Sequence, residues 1–154
     1  MKKILIIYES FHHFNTKKIM EQLALQFHCD IFNVNEIKDL CLKNYDIIIL
    51  GSGIYYFTIG NNLDNYIKDN LNILKEKDLF LLTTSGINHT KYENKAVKLL
   101  NSYGLNIIKS YSCLGYDTYG ILKYFKGIAK GHPNNDDIYN ALITFKTYIN
   151  SRQD

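Results

Sequence analysis

This chain opens with a run of aliphatic residues that leads directly into a polar loop and then into a helical pattern. Ile4 to Ile7, with Tyr8 behind them, predict a strand that is buried on both faces of a parallel sheet. The apolar residues beyond the loop recur at helical spacing: Ile19, Met20, Leu23, Ala24 and Phe27. A helix that follows such a strand presents unpaired backbone N–H groups and the positive end of its dipole. The sequence therefore predicts an α/β fold with an anion-binding loop near residue 10.

The loop itself is rich in side chains that can contact an anion without a large net charge. These side chains are Ser10, His12, His13, Asn15 and Thr16. Two other interpretations stay open. Asn15 and Thr16 have the residue types that cap a helix and need do nothing else, and the two histidines could be surface residues.

Composition limits the class of protein. Of 154 residues, 46% are hydrophobic and 21% charged, which is typical of a soluble globular protein, and we expect one domain over residues 1–154. No apolar run is long enough for a membrane helix or for a secretory signal, so we expect a cytoplasmic protein without membrane insertion. Cys29, Cys41 and Cys113 lack paired metal-site spacing. We interpret them as reduced core thiols and expect no metal site.

The charge pattern argues against nucleic acid as a partner. The formal net charge is +3, and the lysines are scattered rather than gathered into a stripe or a polybasic membrane patch. The clearest basic cluster is Lys123, Lys126 and Lys130.

Strand-like runs alternate with amphipathic stretches along the whole chain, without a linker or a repeat. The predicted strands are residues 4–8, 30–34, 46–50, 79–84 and 106–113, and the predicted helices are residues 16–27, 37–42, 61–74, 91–103 and 135–149. Right-handed crossovers then give a five-stranded parallel sheet in the order 2-1-3-4-5 between two helical layers. A ligand would bind at the switch point between strands one and three, where the loops 10–16, 51–60 and 84–90 should meet.

The second of these loops combines glycines with aromatic residues. It reads Gly51-Ser52-Gly53-Ile54-Tyr55-Tyr56-Phe57. The glycines predict a backbone that few residues could follow, and the aromatic rings could stack on a planar ligand. A surface turn with one or two rings packed inward is the alternative. A dinucleotide motif is not indicated, because the third glycine is missing and the loop follows strand three.

Two later segments complete the set. Thr84, Ser85 and Gly86 end the fourth predicted strand with small residues that leave backbone N–H groups accessible. About twenty residues, including Tyr116, Asp117 and Tyr119, separate the fifth strand from the last helix. Segments of that length usually bind something or are mobile.

In this order, these motifs resemble the flavodoxin family over nearly the whole chain. Residues 10–16 are similar to a flavodoxin phosphate loop that is one residue longer than usual, with Phe14 where that variant has glycine, and residues 51–57 resemble the loop that brackets the flavin. The resemblance implies a flavodoxin-like three-layer α/β/α fold and FMN as the cofactor. The residues that it places around FMN are Ser10, His12, His13, Phe14, Asn15, Thr16, Ser52, Gly53, Ile54, Tyr55, Tyr56, Thr84, Ser85, Gly86, Tyr116, Asp117 and Tyr119.

The function that the resemblance implies is low-potential electron transfer between redox partner proteins, by a monomer or weak dimer without catalytic residues. One alternative is an FMN-dependent oxidoreductase acting on a small molecule such as a quinone or porphyrinogen, which the basic cluster and the long segment favour. Another is a degenerate flavodoxin-like binding protein without flavin, which Phe14 motivates, since a bulky residue at positive φ is strained. We expect the additional loop residue to let Phe14 take a negative φ.

Overall fold

The computed structural model describes residues 1–152. Its strands are β1 (Ile4–Glu9), β2 (Asp30–Asn33), β3 (Ile47–Tyr55), β4 (Thr58–Ile59), β5 (Asp78–Ser85) and β6 (Ile107–Leu114). Its helices are α1 (Asn15–Phe27), α2 (Asn61–Asp69), α3 (Leu71–Leu74), α4 (His89–Ser102) and α5 (Asn135–Asn150). Short 3₁₀ turns occur at Val34–Glu36, Leu42–Asn44 and Gly120–Phe125.

The sheet has the predicted topology. Its parallel strands lie in the order β2-β1-β3-β5-β6, while β4 pairs antiparallel with the end of β3. Setting the hairpin strand β4 aside, this is the order 2-1-3-4-5 expected from right-handed crossovers. The carboxyl ends of β1 and β3 therefore lie side by side, and the chain leaves the sheet in opposite directions on either side of them.

Alternation along the strands divides the core into two layers, because successive strand residues point to opposite faces. Leu5 and Ile7 face the layer under α2, α3 and α4, where they pack with Leu63 and Leu100. The opposite layer lies under α1 and α5 and holds Ile4, Ile6, Ile19, Met20, Leu23, Phe80 and Phe145. The three-layer α/β/α architecture is confirmed.

Two predicted helices are wrong in detail. Residues 37–41 form irregular backbone between two 3₁₀ turns, the second of which begins at Leu42, and Ile37 and Leu40 are only partly buried against the core. The predicted helix 61–74 is broken at Asn70, which has φ −118° and ψ 16°. The Asn70 amide donates to the Tyr66 carbonyl at 2.8 Å, an example of an asparagine side chain competing with the helix backbone.

The prediction that all three cysteines are core thiols is wrong for one of them. Cys113 is buried and Cys29 is partly buried, but Cys41 is exposed. Burial raises the pKa of the Cys29 thiol to about 12. All three cysteines are free.

Strand β3 continues five residues beyond its predicted end, so the glycines of residues 51–57 lie in extended backbone and not in an unusual loop conformation. Their role is spatial. A Cβ at Gly51 would collide with the Met20 side chain of α1, and a Cβ at Gly53 would collide with the Tyr55 ring. Glycine at position 51 therefore permits the close approach of α1 to the sheet.

Buried polar groups fix the hairpin formed by β3 and β4 and the start of α2. The Glu9 carboxylate accepts a hydrogen bond from the Leu63 N–H at 2.9 Å, and its negative charge stabilises the positive end of the α2 dipole. The Ser52 hydroxyl accepts from the Gly60 N–H at 2.9 Å and donates to the Gly53 carbonyl at 2.6 Å. Among residues 1–152, no helix is both long and apolar enough to cross a membrane.

Candidate functional site

A cavity of about 380 Å³ opens where the carboxyl ends of β1, β3, β5 and β6 meet. The predicted site residues that line it are Ser10, His12, Asn15, Thr16, Gly53, Ile54, Tyr55, Tyr56, Thr84, Ser85, Gly86, Tyr116, Asp117 and Tyr119. The predicted residues His13, Phe14 and Ser52 lie outside the lining. Segments that are far apart in sequence thus come together at the switch point of the sheet.

The loop between β1 and α1 keeps backbone donors free at the cavity. The Phe14 N-cap of α1 supplies no side-chain hydrogen bond to the helix. Within residues 1–152, the N–H groups of residues 12–14 have no protein acceptor, whereas the Lys17 N–H is taken by the Ser10 hydroxyl at 3.2 Å. Free N–H groups at a helix start, together with the helix dipole, are what an anion binds.

Phe14 does not take the negative φ that we expected. Its φ is 53°, in the left-handed region, and the φ of His13 is 54°. The expectation failed because the additional residue does not remove the sharp bend that the loop needs to enter α1. The ring of Phe14 points out of the cavity and is 53% exposed, so its bulk does not fill the ligand space. Its strain, about 1–2 kcal/mol for a non-glycine residue, is held by the surrounding loop.

Tyr55 links the loop between β1 and α1, called the anion loop below, to the aromatic part of the cavity. Its hydroxyl accepts a hydrogen bond from the Phe11 N–H at 3.2 Å, and its ring stacks on the Phe11 ring with centroids 4.0 Å apart. Burial raises the pKa of Tyr55 to about 12, so the phenol is neutral at physiological pH. The Phe11 N–H of the loop therefore has a neutral phenol oxygen as its acceptor.

Residues 116–118 clamp the loop from the other side. The Asn15 amide donates to the Tyr116 carbonyl at 2.9 Å. His12 Nε2 lies 3.1 Å from the Thr118 N–H and 3.2 Å from Asp117 Oδ1. A neutral His12 accepts from Thr118 through this nitrogen, whereas a protonated His12 donates to Asp117 through it. In both forms the imidazole joins the two segments.

The mouth of the cavity is bridged by tyrosines. The Tyr56 and Tyr119 hydroxyls are hydrogen-bonded to each other, and their rings meet edge to face with centroids 5.7 Å apart. Tyr56 and Phe57 form the two-residue turn between β3 and β4, with φ 50° and 70°. Type I′ hairpin turns place both central residues at positive φ and favour Asn-Gly there. Two aromatic residues in such a turn are strained.

The end of β5 supplies small polar groups to the cavity. The Thr84 and Thr16 hydroxyls are hydrogen-bonded at 2.9 Å, and both residues are buried. The Ser85 hydroxyl donates to the Ile87 carbonyl at 2.8 Å, which holds the turn after β5. These contacts place the first turn of α1 directly against the end of β5.

The cavity is also lined by residues that the sequence motifs do not predict as ligand contacts. These are Phe11, Phe57, Ile87, Tyr92, Gly115, Leu122 and Ile128. Phe11 and Phe57 lie inside loops that are predicted to form the site, so their positions alone indicate them. Tyr92 is in the first turns of α4, where helical periodicity gives no indication of a ligand-facing side chain. In residues 1–152, no group of three or more His, Cys, Asp or Glu side chains could hold a metal ion.

Comparison with known proteins identifies the family. The model of the flavodoxin domain matches residues 5–125. The chain belongs to the flavodoxin domain family. An uncharacterized protein of Methanocaldococcus jannaschii is 39% identical to this chain over 153 residues. The match covers 96% of this chain and 98% of the relative.

Solved flavodoxin structures share the fold. Oxidised flavodoxin 1 of Bacillus cereus has a TM-score of 0.68 at 15% identity, covering 96% of this chain and 97% of its own. A flavoprotein of Lactobacillus acidophilus, solved in complex with FMN, has a TM-score of 0.59 at 20% identity, covering 81% of this chain and 99% of its own. At these identities the likeness shows the fold alone.

Proposed function

We propose that this flavodoxin-family protein binds FMN in the cavity and carries electrons between redox partner proteins. The observation that supports this most directly is the joining of two kinds of surface in one cavity. Free N–H groups lie in the loop between β1 and α1, which supplies Ser10 and His12 to the lining, and aromatic rings from the other loops complete the lining. A ligand with a phosphate and a planar ring system has both properties.

The phosphate end fits a dianion held by hydrogen bonds. The N–H groups of residues 12–14 and the hydroxyls of Ser10 and Thr16 would hold the phosphate oxygens. No lysine or arginine lines the cavity within the described chain. The negative charge of the phosphate would therefore be balanced by the N–H dipoles and the α1 macrodipole. Each hydrogen bond from an N–H group to the charged phosphate would contribute roughly 1.5–3 kcal/mol.

One orphaned atom supports a further ligand contact in the cavity. Asn15 Oδ1 is buried and has no hydrogen-bond partner among the described residues. An unmade hydrogen bond at a buried acceptor costs about 1–3 kcal/mol. A hydroxyl on the linker between the phosphate and the ring system would satisfy it.

The ring end consists mainly of apolar and aromatic groups. Tyr56, Phe57, Ile87 and Tyr92 line this part of the cavity. Bound FMN would supply one- and two-electron redox chemistry. The protein's own contribution would be to position the ring and exclude water, and its apolar walls would make negative charge on the ring costly, which favours a low potential.

A second candidate function is turnover of a small molecule such as a quinone or porphyrinogen. The observation in its favour is the pair of hydroxyls of Tyr56 and Tyr119 at the mouth, where they could donate to a carbonyl of a bound planar substrate. The flavin-free alternative is favoured by the positive φ of Phe14, which is the strain that motivates it. The Phe14 ring lies outside the cavity lining, however, and so leaves the ligand space open.

The absorbance spectrum of the purified protein tests the proposal. Flavin bands, or their appearance on titration with FMN, are expected, and mass analysis of the released cofactor should give FMN. A colourless protein that does not bind added FMN would rule out both redox functions. Two activity assays distinguish the enzyme from the carrier. An enzyme would consume NAD(P)H with a quinone as the acceptor, whereas a carrier would exchange electrons with another redox protein.

A further inference from the structure

The 3₁₀ turn beside the cavity mouth exposes large apolar side chains to solvent. Ile121 is 72% exposed, and Tyr124 and Phe125 are each 75% exposed. Ile121 and Tyr124 are three residues apart and so share one face of the 3₁₀ turn. Leu122, between them, points into the cavity lining instead. Burial in the fold therefore does not explain the apolar side chains on the outer face.

This exposure belongs to an ordered turn. Asp117 and Ile128 exchange backbone hydrogen bonds at 3.0 and 2.8 Å, closing the segment at its base. The Gly127 N–H donates to the Leu122 carbonyl at 2.7 Å, and the Tyr116 hydroxyl donates to the Lys126 carbonyl at 3.2 Å. The backbone is thus fixed so that the apolar side chains stand outward.

The same segment is uniformly basic. From residue 118 to residue 135 the sequence holds three lysines and neither Asp nor Glu. All three lysines are exposed, and the Lys123 ammonium lies 5.1 Å from the centroid of the Tyr124 ring. The lysine-aromatic surface consists of Ile121, Lys123, Tyr124, Phe125, Lys126 and Lys130.

We propose that the lysine-aromatic surface binds the surface of an anionic lipid bilayer. Aromatic and aliphatic side chains beside lysines are the pattern of segments that lie in the membrane interface, where rings enter the headgroup boundary and ammonium groups meet lipid phosphates. Each lysine near an anionic leaflet adds about 1 kcal/mol to binding, which corresponds to about a fivefold change in affinity. The lysines alone do not predict a membrane patch; the exposed apolar residues beside them do.

A protein partner fits this surface less well. Tyrosine and phenylalanine are enriched at protein interfaces, but lysine is depleted there. Here lysines alternate with the apolar residues through the whole surface. Because Tyr119 and Leu122 line the cavity, binding to a bilayer would place the cavity mouth beside the lipid headgroups. The proposal concerns the outer surface and does not require bound FMN.

Vesicle sedimentation tests the proposal with the full chain. The protein should sediment with vesicles of phosphatidylcholine and phosphatidylglycerol, but not with phosphatidylcholine alone, and added salt should release it. The combined change Lys123→Glu, Lys126→Glu and Lys130→Glu should weaken binding by about a hundredfold or more. The matched control is Lys91→Glu, Lys95→Glu and Lys98→Glu, which changes the net charge equally on the exposed side of α4.

A second surface variant and its matched control test the apolar residues of the lysine-aromatic surface. Replacing Ile121, Tyr124 and Phe125 by Ser should also weaken binding to the anionic vesicles, whereas Ser at Leu25, Ile108 and Tyr139, which are exposed elsewhere, should not. Circular dichroism and FMN titration would show that both variants keep the fold and the cavity. Equal losses in a surface variant and its control would overturn the proposal. So would absence of binding by the wild type, which would leave an acidic protein as the occupant to examine.

Discussion

Tyr55 is the single side chain that competes most directly with a ligand for the anion loop. Its hydroxyl occupies the Phe11 N–H and its ring covers the Phe11 ring. A phosphate that used this N–H would have to displace the phenol oxygen. The residue would then reduce the affinity of the site while closing it against water.

We predict that Tyr55→Phe tightens FMN binding. The change removes the competing oxygen and keeps the stacked ring, and a neutral hydrogen bond contributes about 0.5–1.5 kcal/mol, so the dissociation constant should fall by roughly two- to tenfold. Fluorescence titration measures it. Tyr66→Phe, in a partly buried position on α2 outside the cavity, is the matched control. Weaker binding by Tyr55→Phe would mean that the hydroxyl contacts the cofactor.

His13 makes stability depend on pH. Burial and the neighbouring His12 lower the pKa of His13, so below about pH 6.5 the unfolded chain takes up this proton before the folded protein does. This contribution to stability is present above the unfolded pKa and is lost as the pH falls through the lowered folded pKa. We predict that His13→Asn loses less stability than wild type on going from about pH 7.5 to about pH 5.5.

Urea unfolding at the two pH values measures this difference. His28→Asn, at an exposed left-handed helix end, provides the control, because Asn tolerates that backbone and the site is far from the cavity. A wild-type pH response in His13→Asn would show that His13 does not govern the acid side of the stability profile.

Among the elements, the β3–β4 hairpin carries backbone strain in its turn. Tyr56 and Phe57 both sit at positive φ in its turn, where aromatic side chains are disfavoured but where they bridge the cavity mouth. The polar contacts of Glu9 and Ser52 hold the base of this hairpin. The strain is consistent with a turn whose side chains are selected for the site rather than for the fold.

We predict that the double change Tyr56→Asn and Phe57→Gly stabilises the protein and weakens FMN binding. An Asn-Gly turn relieves strain of about 1–3 kcal/mol per residue, which is offset in part by the lost Tyr56–Tyr119 hydrogen bond, so a net gain of about 1 kcal/mol or more in unfolding free energy is expected. Chemical denaturation and FMN titration measure both effects. His28→Gly relieves similar strain away from the cavity and should stabilise without changing affinity. A hairpin variant that keeps wild-type affinity would remove the turn rings from the site.

The elements also show what sequence periodicity can and cannot predict. Strands β1 and β5 contain uninterrupted apolar runs at residues 4–8 and 79–82, and their predicted bounds lie within one residue of the observed ones. The extension of β3 through Gly51 and Gly53 is not predictable locally, because it rests on pairing with β5, which is distant in sequence. The break at Asn70 depends on one side-chain hydrogen bond, which periodicity does not represent.

At the scale of the whole molecule, the site is an assembly of loops that the fold brings together. The order of strands predicts which loops meet, so most of the selected residues do lie at one cavity. It does not predict where a side chain points within a loop. His13 and Phe14 turn out of the cavity because of their left-handed backbone, and Tyr92 enters it from a helix.

We predict that FMN binding orders the distant segments together. Because Asn15 and His12 connect the loop to residues 116–118, a phosphate on the loop should slow hydrogen exchange across both segments. At a ligand concentration of about 100 Kd, the free energy of unfolding should rise by about 2.7 kcal/mol. Hydrogen exchange followed by mass spectrometry, with riboflavin as the ligand without phosphate, measures the coupling. Protection confined to residues 10–16 would contradict it.

The wide spread of the cavity in sequence has a consequence for biosynthesis. Its lining runs from Ser10 to Ile128, and α5, after all of these, packs against α1, while Tyr148 on α5 donates to the Leu79 carbonyl of β5. A nascent chain emerging from the ribosome would have the anion loop early but would lack one wall of the cavity and the helix that supports α1. Capture of the FMN that we propose as ligand would therefore occur after release of nearly the whole chain, and a stalled or truncated product would not retain it.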